Sequence, residues 1–401
     1  MEPNLLVVNA GSSSVKVKLF DGPRLNVLAE GQVERVGTGA ASLHLAWGAG
    51  GEARSEDWQG RAADHREALR RLLDRMDALG LLDGGARLGA VGHRVVHGGA
   101  LYQPVRVGGS TMDRLRGLSE LAPLHNPPNL ACVEMALERF PGVAQVLVFD
   151  TAFHHGLPSY ARDYALPRDL CERHGIRRYG FHGISHGHVS RQAAEMLGKP
   201  AEALDLVSLH LGHGASAAAI HGGRSMDTSM GFTPAEGLMM AARSGDLDPA
   251  LPPLLEHLEG LDASGVLDLL NGGSGLKGVC GSGDMREIHR RAEAGDERAA
   301  LARDMFCYRA RKYLGAYLAV LGRLDALVFT GGIGENDPWV RAQVCAGLEG
   351  LGIALDPELN AGVGNAPARI QASRSRVAVL VIPADEEREI ARQALALLGG
   401  G

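Results

Sequence analysis

An apolar run that stops at a small polar turn occurs in this chain after Asn4, after Leu204 and after Leu324. The first reads Asn-Leu-Leu-Val-Val-Asn-Ala-Gly-Ser-Ser-Ser (Asn4 to Ser14) and the second Leu-Asp-Leu-Val-Ser-Leu-His-Leu-Gly-His-Gly-Ala-Ser (Leu204 to Ser216). The third is Leu-Asp-Ala-Leu-Val-Phe-Thr-Gly-Gly-Ile-Gly-Glu-Asn (Leu324 to Asn336). Short apolar runs bounded by turn residues are the pattern of buried strands. Gly in the turn lets backbone N–H groups approach phosphate oxygens that a Cβ would hold off. One such turn is ordinary α/β corner chemistry, but three after similar strands point to one nucleotide held between two related halves.

A chain of 401 residues exceeds one typical core, so two domains are expected. With 45% hydrophobic and 22% charged residues it reads as a globular protein, and a net charge of −6 gives no electrostatic reason for nucleic acid or an anionic membrane as partner. Aromatics at 4% make base-stacking platforms a poor fit, whereas 55 glycines favour a site built from backbone turns. Cys132, Cys171, Cys280, Cys307 and Cys345 are scattered, odd in number and free of Cys-x-x-Cys, as in reduced cytosolic proteins. No basic segment followed by an apolar stretch opens the chain, and no apolar run is long enough for a bilayer, so a cytoplasmic location is expected.

Val15 to Phe20 alternates at period two and predicts an antiparallel return strand with Lys16 and Lys18 on one face, and Ser42 to Trp47 predicts another small strand. Leu69, Leu72, Leu73, Met76 and Leu79 are at helical spacing within Asp64 to Leu79, stopped by Gly80. Leu88 to Val96 reads as a strand broken at Gly92, carrying Arg94 between apolar residues before Gly98-Gly99; Arg rarely goes inside unless paired, so an anionic ligand is expected there. The prolines of Leu121 to Leu130 predict an extended loop with no helix before Asn129. Gln145 to Asp150 is a buried strand ending in a carboxylate, where α/β ligands bind, although Asp is also common there for local reasons.

His182 and His186 stand four apart in Tyr179 to His188, but the glycines argue against continuous helix and no Glu or Cys completes a zinc set. Gly273 to Gly278 fits a dinucleotide Gly-x-Gly-x-x-Gly pattern without the strand that should precede it, which dismisses that reading. Asp296 to Leu321 is the longest helical pattern, Val377 to Ile382 a last strand, and Asp385-Glu386-Glu387 opens a closing helix whose acids suit its dipole.

Together, Asn9 to Lys16, His93 to Gly99, Pro123 to Asn129, Phe149 to His154, Tyr179 to Gly183, Asp227 to Pro249 and Gly332 to Asn336 resemble, in order and over essentially the whole chain, the acetate and propionate kinase family. The resemblance implies an α/β fold of two related ribonuclease-H-like (actin-like ATPase) domains with the active site in the cleft between them. It implies boundaries at 1–150 plus 383–401, where the C-terminal helix rejoins the first lobe, and at 151–382. It also implies a homodimer that transfers the ATP γ-phosphoryl to acetate with Mg²⁺, or Mn²⁺ in its place.

Residue by residue, the resemblance assigns Arg94 to the substrate carboxylate and Val96, Leu124, His125, Phe181 and Pro234 to its surroundings. Asp150, His182 and Arg243 are implied for the reacting phosphoryl, and Asn9 and Glu386 for the metal. The nucleotide set is Ser12, Ser14, Lys16, His210, Leu211, Gly212, His213, Gly214, Asp284, Met285, Arg286, Gly332, Ile333, Gly334, Glu335 and Asn336. Two guanidiniums, a His donor and a metal neutralise the transferring oxygens without a covalent intermediate. A carboxylate acceptor is already ionised at pH 7, so Asp150 is read as holding Arg94 or a metal-bound water and not as a base.

The chain departs from the family at His213, where Asn is usual, at Ile184, where Thr is usual, and at Ala241-Ala242, where Gly-Thr is usual. Rival readings are a propionate or butyrate kinase, which one methylene separates only modestly, and an actin-like nucleotide switch, which needs no Arg94.

Overall fold

The computed structural model describes residues 3–22, 24–48, 53–85, 87–119 and 125–399. The chain forms two compact units, Met1–Ala152 with Asp385–Gly401, and Phe153–Ala384.

The first unit is built on β1 (Asn4–Ala10), β2 (Ser14–Asp21), β3 (Asn26–Glu34), β4 (Ala41–Trp47), β5 (Arg54–Gly60), β6 (Leu88–Val95), β7 (Val105–Arg106) and β8 (Ala144–Phe149). They form one sheet in the order β5-β4-β3-β2-β1-β6-β8-β7. The meander from β1 to β5 is antiparallel, whereas β6 is parallel to both β1 and β8. Every residue of β1 after Asn4 is buried because both faces are covered. Leu6, Val8 and Ala10 pack with Leu69, Leu72 and Met76 of the helix His65–Ala78 and with Cys132 and Ala136 of the helix Asn126–Arg139. Val7 faces the other way, toward the C-terminal helix Glu386–Gly399.

Strand β6 runs unbroken through Gly92. A Cβ there would lie 2.9 Å from Ile390 Cγ2 and 3.7 Å from Ala394 Cβ, so this Gly admits the C-terminal helix instead of ending the strand. The prolines also act differently from the expectation: Pro127 and Pro128 occupy the first turn of the helix Asn126–Arg139, where a missing N–H costs nothing. The residues before His125 in that segment, Leu124 among them, lie outside the described residues. Asp64 caps the helix His65–Ala78 through the Glu67 N–H at 2.8 Å, and Gly80 follows at φ +70°.

The second unit holds β9 (Asp205–Leu211), β10 (Ala215–His221), β11 (Arg224–Thr228), β12 (Ala326–Thr330), β13 (Ala368–Arg369) and β14 (Ala378–Val381) in the order β11-β10-β9-β12-β14-β13. Its β11-β10-β9 meander is antiparallel, and β12 is parallel to β9 and β14. The succession β11-β10-β9-β12-β14 therefore repeats β3-β2-β1-β6-β8 of the first unit in order and sense, the topological form of a duplicated ribonuclease-H-like α/β fold. Val189 and Ala193 of the helix Gly183–Leu197 pack on Leu206, Ile220, Val328 and Leu380. The helix Glu297–Leu321, capped by Asp296, adds buried Phe306, Leu314 and Tyr317.

Two local readings are corrected here. The glycines after His182 do not prevent a helix, since Gly183 and Gly187 lie within Gly183–Leu197 and tertiary packing outweighs their weak propensity. The third Gly-rich turn is not an open loop either, because Gly331–Asn336 closes into a short helix directly after β12.

Candidate active site

In the first unit the parallel strands β1, β6 and β8 end together, the edge where α/β sheets bind ligands. Asn9 stands near the end of β1, Arg94 near the end of β6 and Asp150 just past β8. Arg94 Nη2 donates to Asp150 Oδ2 at 2.5 Å and Nη1 to Asn9 Oδ1 at 3.1 Å, while Glu386 Oε2 lies 3.6 Å from Nη1. The Asn9 amide donates to Glu386 Oε2 at 3.1 Å and Glu387 Oε1 at 2.7 Å. Lys18 adds ion pairs to Asp385 at 3.2 Å and Glu387 at 3.7 Å. The acids that open the C-terminal helix are thus partners of the strand ends and do more than complement a dipole.

Burial works against the Arg94 charge, but the carboxylates of Asp150 and Glu386 outweigh it and hold the guanidinium ionised beyond its ordinary range. Burial likewise opposes the Lys18 charge, and Glu387 and Asp385 overcome it and raise its pKa. Arg94 is a fixed, half-buried cation whose bidentate fork suits a carboxylate or phosphate.

The strand ends are braced by the Asn-Pro-Pro-Asn segment. Asn129 accepts from the Val96 N–H at 3.0 Å and donates to the Ala10 carbonyl at 2.8 Å. Asn126 accepts from the His97 N–H at 3.0 Å. His125 sits at the helix start, where its carbonyl accepts from the Asn129 N–H at 3.2 Å. Val96 is buried. Ser12 is exposed in a tight turn in which the Gly11 N–H donates to the Ser14 carbonyl at 2.8 Å, and Lys16 is exposed opposite Asn9 in the β1–β2 register.

In the second unit His182 precedes the helix Gly183–Leu197 at φ +55°, with Nδ1 2.9 Å from Ser216 Oγ and its ring stacked 4.2 Å from that of His210. His210 Nδ1 lies 2.8 Å from Ser185 Oγ. A Cβ on Gly214 would sit 3.3 Å from His182 Cε1 and Nε2 and 3.8 Å from Arg243 Nη1, so this Gly leaves both side chains close to one stretch of backbone. Arg243 is held by the Pro234 carbonyl at 3.4 Å, and burial lowers its pKa. Phe181 is buried, its carbonyl 3.1 Å from His154 Nε2.

A cleft of about 950 Å³ in this unit is lined by Gly212, His213, Asp284, Met285, Arg286, Gly332, Ile333 and Asn336 of the expected nucleotide set. That is the scale of a nucleotide site. A Cβ on Gly212 would be 3.8 Å from the Gly332 nitrogen, so the turns after β9 and β12 converge. Leu211 is fully buried and can offer the cleft backbone only. Gly334 is buried, and Glu335 is occupied in tying its turn together, accepting from the Gly331 N–H at 2.8 Å and the Ala384 N–H at 2.9 Å. Asp284 caps the helix Met285–Glu293 and pairs with exposed Arg286.

Sequence reasoning missed Lys277, Gly281, Ser282, Gly283 and Asp337, which also line the cleft. The signal was the Gly281-Ser282-Gly283 run ahead of Asp284, overlooked once the neighbouring Gly-x-Gly-x-x-Gly pattern was dismissed. Glu387 was likewise missed as a partner of Asn9, and Lys18 and Asp385 as the ion pair beside it.

Among the described residues no group of three or more His, Cys, Asp or Glu side chains is arranged to hold a metal ion, and no helix is long and apolar enough to cross a membrane. Mg²⁺ keeps several waters and takes one or two carboxylates with its substrate's phosphates. Glu386 beside the Asn9 amide fits that smaller demand.

A model of the Acetokinase family matches residues 4–392. The acetate kinase of Streptomyces griseus is 49% identical over 401 residues, covering 100% of this chain and 97% of that protein. The crystal structure of Porphyromonas gingivalis acetate kinase superposes with a TM-score of 0.89 at 42% identity, covering 99% of this chain and 100% of the other. That of a propionate kinase from Francisella tularensis gives 0.89 at 36% identity, covering 98% and 99%.

Proposed function

The chain belongs to the acetokinase family, and from that premise we propose how its residues carry out phosphoryl transfer from ATP to the carboxylate of acetate. Arg94 pins the acid through its guanidinium. A carboxylate oxygen then attacks the γ-phosphorus in line as the bond to the ADP oxygen breaks, with no covalent enzyme intermediate. His182 and Arg243 donate to the transferring oxygens, and Asp150 fixes Arg94. The cleft around Gly212, His213 and Gly332 holds the nucleotide.

The single observation that carries this reading is the half-buried Arg94 at the ends of parallel strands, oriented by Asn9, Asp150 and Glu386. Phosphoryl transfer asks for aligned reactants and compensated charge, and those groups supply both.

The divalent metal is proposed to be Mg²⁺, held by Glu386 with Asn9 beside it; when bound it would offset charge on the nucleotide phosphates. The first unit with its C-terminal helix is the acid-binding lobe and the second the nucleotide-binding lobe. A homodimer in the cytoplasm completes the proposal; five free cysteines suit a reducing compartment.

The test is acetate-dependent ADP formation with hydroxylamine trapping of an acyl phosphate. ADP release without trapped acyl phosphate would refute it. A kcat/KM series over acetate, propionate and butyrate fixes the acid, with acetate expected first because relatives at 48–49% identity are acetate kinases. Inversion at a chiral γ-phosphorus is expected for direct transfer, and sedimentation reads the oligomeric state.

A further inference from the structure

His186 has no place in the reaction as described, yet its ring is fully buried with both nitrogens engaged. Nδ1 lies 3.0 Å from Ser208 Oγ and Nε2 lies 2.7 Å from Ser216 Oγ. The same Ser216 Oγ lies 2.9 Å from Nδ1 of His182. Ser208 and Ser216 are fully buried as well. The four-residue spacing that resembled a metal pair places His186 one helical turn beyond His182, where one hydroxyl serves both rings.

Counting protons limits what this line can do. Burial, reinforced by His154 and His210, keeps His186 neutral, so it has one ring proton. With that proton on Nε2, His186 donates to Ser216 Oγ and accepts from the Ser208 hydroxyl. Ser216 then gives its own proton to Nδ1 of His182, whose ring proton must be on Nε2. With the His186 proton on Nδ1 every donation reverses, and His182 presents either a bare Nε2 lone pair or an imidazolium. A lone pair repels an anionic phosphoryl oxygen. An imidazolium is disfavoured by Arg243, which approaches the same Gly214 as His182.

We propose that Ser208, His186 and Ser216 are positioning residues that lock His182 as the Nε2–H tautomer, so that the ring meets the transferring phosphoryl as a neutral donor. This rests on the reading that His182 faces that group.

The experiment pairs nitrogen-15 spectra of histidine-labelled enzyme with steady-state kinetics for Ser216→Ala and Ser216→Thr. The wild type should show the Nε2–H form of His182, and Ser216→Ala a mixture of tautomers. In Ser216→Ala, kcat should fall about ten- to a hundredfold, short of the loss seen when a triad loses its orienting carboxylate, with KM values within about twofold. Ser216→Thr keeps the hydroxyl and should recover most of kcat. Ser208→Ala, at the far end of the line, should change both readouts in the same direction and less. An unaltered His182 tautomer in Ser216→Ala overturns the relay. A changed tautomer with unchanged kcat overturns instead the placement of His182 at the phosphoryl.

Discussion

Arg94 and Asp150 form an ion pair of 2.5 Å in which the carboxylate side chain is 1% exposed and the guanidinium side chain 14%. The pair links the ends of β6 and β8, and Asn9 and Glu386 complete the ring of acceptors around Arg94. A pair this dry is weak evidence for stability but strong evidence for fixed orientation.

Asp150→Asn keeps the shape and removes the charge that orients Arg94. We expect kcat to fall about 10²–10³-fold, the scale of losing one oriented donor, with the KM for ATP nearly unchanged. Asp150→Ala should in addition destabilise the first unit by about 3–5 kcal/mol, because it leaves a buried charge less compensated. Steady-state kinetics and denaturant unfolding separate the two effects, and unchanged turnover in Asp150→Asn would remove the pair from the reaction.

Gly92→Val tests the packing of the C-terminal helix. The added side chain starts from a Cβ 2.9 Å from Ile390 Cγ2, so the helix that carries Glu386 and Glu387 must shift or the strand must bend. Overpacking of this kind costs about 1–3 kcal/mol. Activity should fall together with stability, and Ile390→Ala in the same chain should restore part of both. A Gly92→Val protein as stable and active as the wild type would show that the contact is loose.

Much of the site was legible because its chemistry depends on residue types that fit few alternatives. Arg94 between apolar residues pointed to an anionic ligand, and the structure shows the guanidinium oriented for one by Asp150. The repeated strand-turn pattern was legible because buried strands are near-continuous apolar runs, as β1, β9 and β12 are. The misreadings share one cause, which is that Gly and Pro were judged by local propensity. Gly92 is decided by a helix about three hundred residues away, and Pro127 and Pro128 by their position in a first turn, where the rule against helical proline does not hold. Glu387 as a partner of Asn9 was invisible for the same reason, since it lies 378 residues further along the chain.

Acid should destabilise the fold through its buried imidazoles. Burial pushes His93 and His154 down to about 4. The unfolded chain takes up these protons near the ordinary value of 6.5 while the folded chain does not. Their contribution is therefore complete above pH 6.5 and is lost as pH falls from there to about 4, by up to roughly 3 kcal/mol each. His93→Gln should flatten the fall of Tm across that window, and wild-type and variant profiles of equal slope would contradict this origin.

Thiol reagents should find one readily accessible cysteine. Burial lifts the thiols of Cys132, Cys307 and Cys345 to about 12, and Cys280 is buried, which leaves Cys171 as the half-buried one. The reactive species is the thiolate, so burial and a raised pKa act in the same direction. A disulfide reagent should titrate one thiol quickly in the native protein and five in denaturant, and Cys171→Ser should abolish the fast phase. Two or more fast thiols in the native protein would mean that the buried sites open readily.

His213 lies in the proposed nucleotide cleft between Gly212 and Gly214. Its carbonyl accepts from the Ala241 N–H at 3.1 Å, which fixes the backbone of the turn. Burial first, and then the charge of Arg243, lower its pKa below 6.5. At pH 8 the ring is neutral and should serve the phosphates much as an amide would, so His213→Asn should leave the KM for ATP within about threefold, the worth of one exchanged neutral hydrogen bond. As pH falls below 6.5 the ring gains a proton, and phosphate oxygens favour the charged form. ADP affinity of the wild type should then rise relative to the variant, by about tenfold if the proton is worth one charge-assisted hydrogen bond. Calorimetric titrations with ADP from pH 5.5 to 8 decide the matter, since the titration of ADP itself is common to both proteins and cancels in their ratio. A ratio that stays constant over the whole range would mean that His213 does not touch the phosphates.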